Sequence, residues 1–150
     1  MHWKRGGTWS ALKGGCARDI AFGGDGSLFK VSCRKEGFQV YAYDLAAADW
    51  TKIEAPRAWS ITADAAGNPS ISDYYANAVL RYSFRTGSWT DTGLKDAHYI
   101  DHGYALSAPK KGSDFSIHKW GALEKSWVKL PQQKAWTIAA QEQSSRVFIT

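Results

Sequence analysis

Four residues placed about one repeat apart could hold a ligand: Arg18, Trp59, His98 and Trp136, at intervals of 41, 39 and 38 residues. Two indoles, a guanidinium and an imidazole suit a carbohydrate. The C–H face of a sugar ring is apolar and stacks on an aromatic plate, while its hydroxyl or acidic rim takes hydrogen bonds. Lys13, Arg57, Lys95 and Lys134 each stand a few residues ahead of one of these positions and would line the rim of such a site. Two readings of the tryptophans stay open: Trp59 and Trp136 contact a ligand, or they fill gaps between packed sheets.

Other chemistry finds less footing. The histidines His2, His98, His102 and His118 make no tight Cys/His set, so no metal site is expected, and no cofactor. Asp25 stands in a Gly-rich turn whose acidic pattern does not recur, a weak basis for calcium. The chain has neither a phosphate-cradling Gly-Lys-Ser/Thr loop nor a Gly-x-Ser-x-Gly elbow, and its carboxylates are scattered. Catalysis is not expected. Cys16 and Cys33 flank the first hairpin turn and could lie opposite each other. Directly paired strand cysteines seldom reach good disulfide geometry, which favours reduced, partly buried thiols.

The elements that must carry these residues follow from an internal repeat. Trp9, Trp50, Trp89 and Trp127 are separated by 41, 39 and 38 residues, and so are Ala17, Ala58, Ala97, Ala135 and Ile20, Ile61, Ile100, Ile138. Tyr43, Tyr82 and Trp120 stand seven residues before three of the tryptophans. Each copy reads as short β-branched or aromatic runs bounded by Gly, Asp and Asn. In the first copy these are Ala17–Phe22, Leu28–Cys33, Gln39–Tyr43 and Trp50–Ile53. A period near 40 with four strands per unit predicts an all-β fold, a four-bladed β-propeller with four-stranded antiparallel blades.

One domain of 1–150 is expected, with blades at 17–53, 58–92 and 97–130. The closing blade combines 134–150 with 2–12, because the last copy supplies two strands and the first residues match the two it lacks. Sharing one blade between the two ends removes exposed sheet edges. Two chains exchanging halves into an eight-bladed ring is the other closure open. Blade material from the first residues leaves no room for a signal peptide, and neither Asn68 nor Asn77 begins a glycosylation sequon. A cytoplasmic or non-classically exported protein is the expectation.

Composition agrees. Over 150 residues, 44% hydrophobic against 22% charged content excludes a disordered chain. No run approaches the eighteen apolar residues of a membrane-spanning helix. Eight Trp, seven Tyr and fourteen Gly belong with short strands and tight turns.

The run Gly14-Gly15-Cys16-Ala17-Arg18-Asp19-Ile20-Ala21-Phe22-Gly23-Gly24-Asp25-Gly26-Ser27-Leu28, with Val40-Tyr41 and Asp49-Trp50-Thr51-Lys52-Ile53 after it, resembles a tectonin repeat. The resemblance extends over the chain in four copies. It implies a propeller that serves as a lectin for bacterial lipopolysaccharide or other cell-surface glycans, or as an interaction module in membrane traffic.

Propeller topology also sorts charge. Loops between second and third strands share a face with the inter-blade loops and gather Arg34, Lys35, Lys110 and Lys111 with Lys13, Arg57, Lys95 and Lys134. The opposite face receives Asp25, Asp44, Asp49, Asp64, Glu124 and Glu142. A basic face on a chain of net charge +5 fits an anionic partner. The acidic residues spread through the chain argue against nucleic acid. The expectation is a non-catalytic module that binds a glycan or an anionic glycolipid such as lipopolysaccharide, with peripheral membrane contact open to it. The alternative is a structural, protein-binding subunit of a larger intracellular assembly.

Overall fold

The computed structural model describes the backbone of residues 2–5, 8–108, 115–135, 137–140 and 147–149, and the side chains of 12–108, 115–131, 135, 137 and 138. A hairpin comes first, β1 (His2–Arg5) with β2 (Thr8–Ala11). Three four-stranded antiparallel sheets follow, each a meander in chain order. The first holds β3 (Ala17–Phe22), β4 (Leu28–Ser32), β5 (Val40–Asp44) and β6 (Asp49–Ile53). The second holds β7 (Ala58–Ala63), β8 (Pro69–Asp73), β9 (Val79–Ser83) and β10 (Ser88–Asp91). The third holds β11 (Ala97–Asp101), β12 (Tyr104–Ser107), β13 (Phe115–Gly121) and β14 (Ser126–Ala135). A second hairpin, β15 (Ile138–Ala140) with β16 (Val147–Ile149), closes the order. A single 3₁₀ turn, Arg34–Glu36, is the only helical segment among the described residues.

The turns explain why the strands reverse where they do. His102 (φ 39°) and Gly103 (φ 81°) form a two-residue link between β11 and β12, both left-handed, as a twisted hairpin requires. The four-residue turns between third and fourth strands each end in a left-handed residue: Ala48, Gly87 and Lys125. Between β3 and β4, Asp25 Oδ1 accepts the Ser27 amide at 2.9 Å and fixes the bend.

Successive sheets lean on one another through their first strands. β7 packs on β3 and β4, β11 on β7 and β8, and β15 on β11 and β12. Between them lie Val31, Val40, Ile71, Ala105, Leu106 and Ile117, all sealed from solvent. Ala58, Ala97 and Ala135 of the repeated column are buried. The Ala58 amide donates to Phe38 O at 3.0 Å and the Ala97 amide to Asn77 O at 2.7 Å. In the third copy the same junction becomes strand pairing, Phe115 opposite Ala135, so β14 runs unbroken from Ser126 to Ala135.

The repeated tryptophans staple each unit to the one before it. Trp50 Nε1 donates to Lys13 O at 2.7 Å, Trp89 Nε1 to Glu54 O at 2.8 Å, and Trp127 Nε1 to Thr92 Oγ1 at 2.9 Å. Each ring also meets its cross-strand partner edge-on or tilted: Tyr43, Tyr82 and Trp120, with centroids 5.0, 5.0 and 5.4 Å away. Three of the four repeated tryptophans thus join neighbouring units, while the Trp9 side chain lies outside the described residues.

Side chains of the first strands add a second link. Asp19 Oδ2 accepts the Ile61 amide at 2.9 Å, Ser60 Oγ the Ile100 amide at 3.2 Å, and Thr62 Oγ1 the His102 amide at 3.0 Å. The bond recurs because the first strands of neighbouring sheets sit side by side in the same register.

Among the described residues the two terminal hairpins are separate two-stranded sheets. Ile20 and Phe22 of β3 remain 41% and 49% exposed, whereas Ile61 and Ile100 are buried. The preference for reduced thiols is corrected: Cys16 and Cys33 form a disulfide with Cα atoms 5.4 Å apart. The cause is register. Ala17 pairs with Ser32, so the flanking cysteines meet.

Candidate functional site

In each of the three sheets the first strand carries a β-bulge at one position. The register slips between Ala17 and Asp19, between Ala58 and Ser60, and between Ala97 and Tyr99. The extra residues are Arg18, Trp59 and His98, three of the four ligand candidates. A bulged residue leaves the ladder and its side chain is re-aimed out of the strand's alternation, a device common beside binding sites.

Because β3 and β7 are neighbours, two of these side chains meet. The Arg18 guanidinium carbon lies 3.3 Å from the centroid of the Trp59 ring, and Arg18 Nε donates to Trp59 O at 2.8 Å. Stacking on an indole plus a charge-assisted hydrogen bond fixes a long, otherwise mobile side chain. Phe38, left-handed at φ 58° after the 3₁₀ turn, packs 6.1 Å from Trp59 and 5.0 Å from Tyr74. Tyr74 stands 5.5 Å from Trp59 and meets Tyr75 edge-on at 5.2 Å. Arg57 donates to the Tyr75 hydroxyl at 2.8 Å. Arg34 and Cys33 complete the wall of an open cleft floored by Phe38, Trp59 and Tyr74. Trp59 Nε1 is buried, with no hydrogen-bond partner among the described residues.

Asp19, next to Arg18, accepts two amides, from Ile61 and from Ile20, each at 2.9 Å. Burial lifts its pKa above the ordinary carboxylate value, against those bonds and the Arg18 charge, with Asp101 adding to the rise.

The other expected residues part company with the cleft. The His98 ring rests edge-on against Phe115 at 5.5 Å, and its carbonyl accepts from Ser60 and Ser72 hydroxyls at 3.4 and 3.2 Å. The Lys13 carbonyl takes the Trp50 indole, and Lys95 is ion-paired to Asp91. Trp136, Lys110, Lys111 and Glu142 lie outside the described residues, as does the side chain of Lys134. The cleft therefore unites Arg18 and Trp59, with Arg57 beside it through its bond to Tyr75. It adds Phe38 and Tyr74, with Tyr75 packed against Tyr74, none of them among the residues that the repeat points to. Their signal was the Tyr-Tyr pair of a short polar loop and an aromatic residue just ahead of a third strand.

A second cavity of about 270 Å³ lies between the second and third sheets, walled by Val79, Ile100, Tyr104, Trp120 and Trp127. Its polar groups engage each other: Arg81 with Asp64, His102 Nδ1 with Asp101 Oδ1 at 2.6 Å, and Thr92 Oγ1 with Val79 O and the Trp127 indole. These groups satisfy one another, and the Trp127–Thr92 bond ties the two sheets together, whereas the cleft presents the exposed Arg18 and Arg34 beside the exposed Tyr74 ring. No protein-family model matches this chain, and no curated protein matches it.

Proposed function

We propose that the chain is a non-catalytic binding module whose Arg18–Trp59 cleft takes a glycan or an anionic glycolipid such as lipopolysaccharide, in the manner of tectonin-type lectins. The architecture that goes with it is a four-bladed propeller. The three sheets are three blades, and β15–β16 with β1–β2 make the fourth. The regular first-strand packing and the thrice-repeated indole link support this arrangement.

One observation carries the functional reading: a guanidinium locked 3.3 Å over an indole, with Arg34 and Tyr74 lining the same open cleft. Aromatic plates receive the apolar face of a sugar, and the arginines take its carboxylate, phosphate or hydroxyl groups. The cleft's residues come from the start of first strands and from second-to-third-strand loops, the face on which Arg34, Lys35 and Arg57 are exposed.

The protein-docking alternative has its own support at the other end of the sheets. The third-to-fourth-strand turns present Leu45, Phe84 and Leu123 at 66%, 54% and 94% exposure, one apolar tip per sheet. Such repeated apolar tips suit a partner surface.

A glycan array combined with a lipopolysaccharide titration separates the readings. The lectin reading predicts saturable binding in the micromolar range or tighter, abolished by Trp59→Ala in a variant whose far-ultraviolet spectrum is unchanged. No binding at high micromolar concentration would remove it, and a single stoichiometric protein in a native pull-down would support the alternative.

A further inference from the structure

Beside the cleft, a different set of donors converges. The sulfurs of Cys16 and Cys33 and a carboxylate oxygen of Glu36 all lie within 4.8 Å of one another, the one such group of three found among the described residues. Glu36 belongs to the 3₁₀ turn that follows Cys33 and reaches back across the hairpin. Its Oε1 accepts the Cys16 amide at 3.2 Å and stands 3.5 Å from Cys16 Sγ. Gly15 keeps that berth open. Its φ is +64°, and a Cβ there would come within 2.3 Å of Glu36 Oε1.

The electrostatics beneath the set are unusual. Lys30 is only 3% exposed, contacts Gly14 O, and lies 4.7 and 4.9 Å from the Trp50 and Tyr41 ring centroids. Burial lowers the ammonium pKa, and the charges of Glu36 and Asp49 pull it back. Lys30 is thus a sequestered cation under the influence of the Glu36 carboxylate, and the sulfurs beside that carboxylate add negative charge if they become thiolates.

We propose that the reduced form of this hairpin binds one divalent ion of the zinc class through Cys16, Cys33 and Glu36, and that the disulfide form does not. The opening step is a two-electron reduction of the sulfur–sulfur bond by a dithiol or a phosphine. Each cysteine sulfur is left as a thiol, while the dithiol becomes a disulfide or the phosphine becomes its oxide, with oxygen from water. Metal binding then expels both thiol protons. Two thiolates, one carboxylate and a 2+ ion sum to −1, which the Lys30 ammonium offsets. Thiolate donors select zinc, cadmium or cobalt over calcium and magnesium. At bond lengths of about 2.3 Å, tetrahedral sulfurs stand about 3.8 Å apart, a separation that strands already 5.4 Å apart at Cα reach by side-chain rotation alone. A fourth tetrahedral position stays open to solvent. The set escapes a search of the sequence for Cys/His ligands because its third member is a glutamate brought in by the 3₁₀ turn.

Cobalt(II) titration of the full chain, reduced with a phosphine and kept from air, tests this independently of any glycan. The expected result is one cobalt per chain with a thiolate-to-cobalt charge-transfer band, bleached by zinc and absent from the oxidised chain. Cys16→Ser and Cys33→Ser should each abolish the band. Glu36→Gln should weaken binding at least about tenfold, the loss that even an outer-shell partner of a metal can cause. The comparison of reduced with oxidised wild-type chain needs no variant to fold. A reduced chain without the band, a band that survives in either serine variant, or unchanged affinity in Glu36→Gln would overturn the proposal.

Discussion

Arg18 spends its guanidinium on a neighbour, so its value to a ligand lies in being held still. It stacks on Trp59 at 3.3 Å and donates from Nε to the Trp59 carbonyl, which leaves the terminal nitrogens of the fork directed by a rigid stem. Arg18→Lys keeps the charge but loses both the planar stack and the fork. It should weaken binding of an acidic glycan about tenfold, or about 1.4 kcal/mol, with little change in folding stability; isothermal titration of the two proteins reads the affinity and urea unfolding reads the stability. A purely structural Arg18 would show the reverse, a stability loss with unchanged affinity.

His118 offers a test at the same scale. Its Nε2 is 2.8 Å from Ser107 Oγ, and burial first, then Lys129, holds its pKa below the ordinary histidine value of 6.5. The folded chain therefore binds the proton less readily than the unfolded one. Stability is full above the ordinary value and falls as pH drops through it toward the lower, folded one. Denaturant midpoints should fall between neutral pH and about pH 5, and the fall should be shallower in His118→Gln.

Among elements, the decisive unit is the seam between sheets. Trp89→Phe keeps the ring against Tyr82 but removes the hydrogen bond to Glu54 O, so a loss of about 1 kcal/mol is expected in urea unfolding. Asp19→Ala strips the acceptor from the Ile61 amide at the first seam and should cost about 1–3 kcal/mol. Equal effects at the second seam, from Ser60→Ala, would show that the link is a property of the repeat.

The same seams explain what the residues alone could reveal. The Trp, Ala and Ile columns were legible because one packing geometry, used repeatedly, demands the same side chain each time. The strands of the first copy came out within one residue of Ala17–Phe22, Leu28–Ser32, Val40–Asp44 and Asp49–Ile53. The Cys16–Cys33 bridge was not legible, because it depends on the bulge at Arg18. Extending the Asp19–Val31 pairing without the slip would set Cys16 opposite Arg34. The cleft was half legible. Arg18 and Trp59 share a repeat column, but Phe38 and Tyr74 come from loops, and His98, of that same column, is drawn instead to Phe115. Loop residues follow no period, so a column search passes them by.

Across the whole molecule, the proposed arrangement is a ring. Three sheets and the β15–β16 hairpin follow one another by the same first-strand packing, and β3 presents Ile20 and Phe22 at the start of that series. If the ends share a blade, β15 covers β3 as β7 covers it from the other side, and β16 pairs with β1. The most direct measurement is a nuclear Overhauser spectrum of dilute, isotope-labelled chain, read for backbone contacts between His2–Arg5 and Val147–Ile149. The account predicts cross-strand contacts between the two segments within one chain, together with slow amide exchange along both. Hairpins whose facing edges exchange freely and share no contacts, or contacts that arise only between labelled and unlabelled chains, would contradict it.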